Sequence, residues 1–213
     1  MNAIRTSMVA TILAVLGSLT LPAQSLPPGS GQIAHIEGKV YLDQQPVEVS
    51  NTPVWILSPN SVVRTEEGRA EILLAGGVSL FLGENSAVKR VPSGGYYPSR
   101  FEVLSGSTVV TTGEMGSVAK CENEVTLSDS GRYRFDVPRL PAELFSERLC
   151  GLKVHEGAAA VQLASVISLL RPGKFISLNL RCGDRTPQQG FDIEKTDSLD
   201  NWSSERIRLR RSQ

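Results

Sequence analysis

His35 and His155 are the only imidazoles in the chain, so any serine or cysteine nucleophile would need one of them as its base. The surroundings of both point elsewhere. His35 sits between Ala34 and Ile36 in an apolar stretch, and His155 precedes a Glu156-Gly157 turn. Each reads as a surface or satisfied structural histidine. No G-x-S-x-G elbow, phosphate loop or dinucleotide fingerprint is present. Two sets of carboxylates, Glu66-Glu67 and Asp192 with Glu194, have the composition of acid–base pairs. They fall in a predicted turn and in the tail, where solvated charge explains them. Cys121, Cys150 and Cys182 lie too far apart for metal-ligand spacing, and neither histidine joins them in a Cys/His cluster. In an oxidising compartment two of the three would bridge and one would be left, with all three pairings open. The residues therefore predict no catalytic, metal or cofactor site and no enzyme.

Binding chemistry is better represented. Tyr96-Tyr97 stands in a glycine- and proline-bounded loop, 92–99 (PSGGYYPS), where tyrosine supplies rigid amphipathic contact area. Trp202 and Arg206 lie in a C-terminal stretch that ends in Arg206, Arg208, Arg210 and Arg211. That basic end could touch anionic lipid or a peptidoglycan-associated polymer, or form a salt-bridged face of the protein. Tyr96, Tyr97, Trp202 and Arg206 are the candidate partner contacts. The 213 residues carry 22 basic and 22 acidic groups and only 6% aromatics, which leaves neither the charge nor the stacking platforms of a nucleic-acid binder.

The elements that must hold these groups are short strands. Val62 to Val88 carries two apolar runs around Gly76-Gly77, with Ala70, Ile72 and Leu74 facing one way and Glu71 and Leu73 the other. This is the pattern of a β-hairpin, with the glycines supplying positive φ angles. Gly38 marks a turn or bulge in an opening strand over 32–42, and further strand–turn–strand phrases run to Leu180. Glycines 68, 106, 131, 157 and 173 punctuate them too irregularly for a solenoid. The expected fold is mainly β, a β-sandwich or rolled β-stack of short strands and hairpins, with one helical turn around Ala142 to Glu147. Residues 186–213 form a linker and a short C-terminal helix or tail. Leu199, Trp202 and Ile207 give that helix an apolar stripe, and Asp197 or Ser198 its N-cap.

Met1 to Ser25 has one basic residue, an apolar core from Met8 to Leu21 and a small-residue ending, the grammar of a secretory signal. Cleavage after Ser25 is expected, then a linker over 26–31, with no transmembrane span in the mature chain. Its net charge would be −1 once Arg5 is removed.

Over residues 33–112 the chain resembles the FecR-type periplasmic domain. Gly38 and Val40 match that family's opening Gly-x-Val; Thr65, Gly68, Ala70 and Ile72 its T-x-x-Gly-x-A-x-hydrophobic segment. Gly77, Leu80 and Leu82 match a third element, Leu104 and Gly106 the last. The arrangement FDxxxxDxLDxWSxxR from Phe191 to Arg206 also resembles the tail of exported proteins that carry this domain. The resemblance implies a FecR-like β domain over 32–112; beyond it the same strand–turn pattern reads as a second β portion over 113–185, continuous with that domain. The resemblance also implies a periplasmic or secreted location and a partner among envelope or periplasmic proteins. The iron-transport regulators of the family place a cytoplasmic segment and a membrane helix ahead of this domain. Here a short cleavable signal leaves no room for them, which speaks against a sigma-regulating role. A carbohydrate- or cell-wall-binding module is the alternative, and would use exposed rings such as Trp55, Tyr96 or Tyr97.

Overall fold

The computed structural model describes residues 30–48, 54–121, 123–128, 130–138, 150–163, 166–178 and 187–212. The signal segment, the helical turn expected at 142–147 and Cys182 lie outside them. The chain is mainly β with one C-terminal helix, and its strands join into one continuous hydrogen-bonded sheet. The first portion is built from β1 (Gly31–Leu42), β2 (Gln45–Pro46), β3 (Trp55–Ile56), β4 (Val62–Leu74), β5 (Val78–Leu82), β6 (Ala87–Val91) and β7 (Arg100–Thr111). Beyond it come β8 (Ser117–Cys121), β9 (Asn123–Leu127), β10 (Arg132–Val137), β11 (Cys150–Glu156), β12 (Ala159–Leu163), β13 (Val166–Leu170), β14 (Lys174–Leu178) and β15 (Gln189–Gly190). The helix α1 (Ser198–Arg211) follows every strand in the chain.

The hairpin read from Gly76-Gly77 is present: Leu74 pairs with Val78 and Ala70 with Leu82, and both glycines have positive φ. A different device shapes the long strands. Gly68 and Glu66-Glu67, expected in a turn, lie inside the continuous strand β4. Gly68 pairs with Gly38 of β1, and a Cβ on Gly68 would collide with the backbone of Glu37 and Lys39. The glycine is there because two backbones meet, not because the chain turns. Between the ends of β5 and β6 the buried Thr65 closes the gap: its hydroxyl donates to the Gly83 carbonyl and accepts from the Ser86 amide at 2.9 Å.

The sheet forks at β7. Arg100 to Glu102 pair in parallel with β8, while residues 106–111 pair antiparallel with β10. The branches are β8-β9-β12-β13 and β10-β11-β14-β15. Gly106, with φ +77° and no room for a Cβ against Ser86, stands where β7 passes from one branch to the other. Alternate residues of both branches fill one core that includes Phe101, Val125, Leu127, Tyr133, Phe135, Leu152 and Ile176. Phe101 meets Phe135 edge-on at 6.3 Å between centroids. A disulfide from Cys121 in β8 to Cys150 in β11 ties the branches covalently, which settles the pairing that spacing left open. The far ends also meet: the Gln188 amide donates to the Ser168 hydroxyl at 3.2 Å and the Leu169 carbonyl at 3.1 Å. The segment expected as a plain linker there adds β15 to β14.

Candidate functional site

The outer face of the sheet, on the side away from the main core, carries most of the polar chemistry. Period-2 alternation turns Glu71 away from Ala70 and Ile72, yet its carboxylate is fully buried. The cover is α1. Asp197 caps the helix by accepting from the Leu199 and Asp200 amides at 2.9 and 3.1 Å, and Asp200 returns the bond to the Asp197 amide at 3.3 Å. This is a capping box, with acidic groups at the positive end of the helix dipole. Leu199, Trp202, Arg206 and Arg210 recur at helical spacing on one side. Leu199 and Trp202 pack on Phe81 and Val109 as a second, smaller apolar cluster, with Trp202 edge-on to Phe81 at 6.0 Å.

Around that cluster, charge is matched from both sides. Arg206 Nε donates to Glu71 Oε2 at 2.8 Å, and Arg210 lies 3.4 Å from Glu71 Oε1 and 2.9 Å from the Ser79 hydroxyl. Arg134 reaches Asp197 at 2.7 Å, Asp200 at 2.8 Å and Asp136 at 2.9 Å. Arg132 donates to the Asp200 carbonyl at 3.0 Å and the Ser203 hydroxyl at 3.2 Å. Burial alone would push the Asp136 carboxyl up. The Ser107 hydroxyl and the cations of Arg134 and Lys153 outweigh it and hold that carboxyl below the usual range. Asp197 is likewise lowered, against its own burial, by the helix amides and Arg134. Arg134 remains firmly protonated, because its carboxylate partners overcome its desolvation.

Two of the predicted contact residues are thus engaged by the chain itself. Trp202 donates its indole N–H to Glu37 at 2.7 Å and lies under the Arg69 guanidinium, while Arg206 is held by Glu71. Tyr96 and Tyr97 stay in their loop with perpendicular rings 5.3 Å apart, and Tyr96 is 75% exposed. Trp55 is half-buried and packs on the main core.

His35 and His155 occupy separate positions. His35 lies 3.4 Å from the Glu37 carboxylate and near the Trp202 ring. His155 is buried edge-on against Phe191 at 5.0 Å, and burial, with Arg132, Arg134 and Lys153 nearby, pushes its imidazole down against the opposing pull of Asp200. Among the described residues no group of three or more His, Cys, Asp or Glu is gathered to hold a metal ion. Nor is any helix among them long and apolar enough to cross a membrane.

Two open features remain. A groove of about 950 Å³ runs between the C-terminal half of α1 and the β4–β5 turn, with Gly77, Gly113, Met115, Ile207 and Arg211 in its walls. The second is the outer edge of β13, the last strand of its branch among the described residues, touched there by the Gln188 side chain. Val166, Ile167 and Leu169 are 47%, 68% and 52% exposed there, and the strand carries no charge, proline or bulge. Sequence reasoning marked β13 as a strand but not as an edge, because edge position depends on the order of strands.

No family model and no curated protein matches the sequence. Among solved structures, a crystal structure described as a proposed anti-sigma factor from Parabacteroides distasonis is similar at TM-score 0.51 and 12% identity. The match covers 63% of this chain and 61% of that one. A second structure of the same description and organism gives TM-score 0.48 and 14% identity over 65% and 61% of the two chains. The match takes in less than two thirds of either neighbour's own length, and the first likeness shows a shared fold.

Proposed function

We infer that the chain is a non-enzymatic, exported interaction module of FecR-like type, which acts in the periplasm or envelope by binding another protein. The observation that carries this reading is the edge of β13. Native sheets protect their edges with charge, proline, bulges or a covering element, and β13 has none of the first three. An uncharged edge with three large apolar side chains in water is a surface suited to another polypeptide. The FecR-like stretch and the β architecture agree with this reading.

The test is affinity capture from periplasmic and envelope extract with residues 26–213, beside the same chain carrying Ile167→Lys. A protein held by the wild-type chain and lost by the variant is the expected result. The exposed Tyr96 ring, beside the open Gly94 and Gly95, favours a second reading as a cell-wall-polymer module. Capture of glycan in place of protein, abolished by Tyr96→Ala, would move the assignment there.

A further inference from the structure

We propose that β13 receives an extended segment of the partner as an added antiparallel strand, and that this segment begins with acidic residues and continues as alternating apolar ones. The proposal rests on the interaction reading above and names the chemistry of its occupant. The first argument is the backbone. Among the described residues no strand pairs with β13 on the side away from β12, and an edge of that kind offers N–H and C=O groups with the repeat of an extended chain, so the ligand that satisfies them is itself extended. The Leu169 carbonyl already takes an amide hydrogen from outside its own ladder, from the Gln188 side chain. Gln188 is exposed, so a backbone N–H can replace it.

The second argument is the side chains. β13 pairs with β12 in unbroken register from Val166 opposite Leu163 to Leu170 opposite Ala159. Leu170 faces the core, and Ile167 and Leu169 therefore share the outer face. A partner strand placing apolar groups on that face gains cross-strand contacts with both, which a charged group there forgoes. The third argument is charge. Arg171 continues β13 at its C-terminal end and Lys174 follows the turn. Both are exposed, and neither has an ion-pair partner among the described residues. In an antiparallel addition the incoming segment's N-terminal end lies beside Arg171, which fixes where its acidic residues fall. One cationic end on a neutral strand thus sets where the acidic residues of an antiparallel segment lie.

The probe is a synthetic octapeptide with two glutamates followed by alternating valine and threonine, with a control in which lysines replace the glutamates. Both are added to residues 26–213 and amide hydrogen exchange is followed. The expected result is slowed exchange confined to 166–170, by roughly tenfold or more at saturation. Ile167→Lys should weaken peptide binding at least about tenfold, and the lysine control should bind more weakly than the acidic peptide. Absent protection at 166–170, or equal binding of the two peptides, overturns strand addition. If extract capture is still abolished by Ile167→Lys when the peptide gives no protection, the interaction reading stands and strand addition alone fails.

Discussion

At the scale of single residues, the buried Glu71 decides how α1 is held. Removing one partner of a buried ion pair leaves a desolvated charge, whereas replacing the pair by apolar groups is close to neutral. Arg206→Met should therefore destabilise the chain by about 2 kcal/mol, less than a full buried-pair loss because Arg210 also reaches Glu71. Glu71→Leu combined with Arg206→Met should recover most of that loss. Chemical denaturation of the two variants checks this, and a double variant no more stable than the single one would refute it. Titration gives a second expectation. His155 is held below its ordinary value, so below about pH 6.5 the unfolded chain binds a proton that the folded chain refuses. That contribution is present above pH 6.5 and is lost as pH falls towards the folded value. Asp136 and Asp197 are also lowered, and their contribution is complete above about pH 4 and lost as pH falls through their folded values. Tm should decline in two steps on acidification, and His155→Gln should remove only the upper one. The sequence held part of this: a lone glutamate inside AEILL, and arginines four apart in a predicted helix. Their meeting across 135 positions could not be read, since periodicity gives a side chain's face and not what covers it.

At the scale of elements, the glycines divide by role. Gly76-Gly77 was legible as a hairpin because turn chemistry is local. Gly68 was read as a turn because a glycine needed for backbone approach looks the same in sequence as one needed for positive φ. Its true partner is Gly38, thirty positions away and visible only in the register. Gly68→Ala should cost about 2–4 kcal/mol, because the new methyl meets backbone that cannot yield without breaking the β1–β4 ladder. Gly94→Ala, with nothing near its Cβ, should change stability by less than about 0.5 kcal/mol. Thermal melts of the pair separate close approach from a general intolerance of substitution. An N-cap at Asp197 or Ser198 was readable from residue type, with Asp197 singled out only by its bonds to the helix amides, and whether the helix would dock was not, since docking depends on Phe81 and Val109 sharing the face that Glu71 leaves polar.

At the scale of the whole molecule, the fork at β7 lets one sheet form both walls of the core, and the Cys121–Cys150 bond stops the walls from parting. Its cysteines are separated by 29 positions, a loop whose closure in the unfolded chain is worth about 3–4 kcal/mol on entropy grounds. Replacing both by alanine should lower stability by about that amount, read as the shift in denaturant midpoint against the oxidised chain. A shift under about 1 kcal/mol would show that the core alone holds the branches together. The mainly β class was legible because its signals are local alternation and turn residues, and strand order was not, because no local signal distinguishes one neighbour from another. The position of α1 has a temporal consequence. Its arginines neutralise a carboxylate from the first third of the chain, and its indole satisfies another, so the last helix to be delivered completes an early strand. A chain made only as far as β15 lacks that cover, which leaves Glu71 without its arginines. Closure of this face therefore waits on the C-terminal residues, and a chain cut after β15 should leave Glu71 open to solvent.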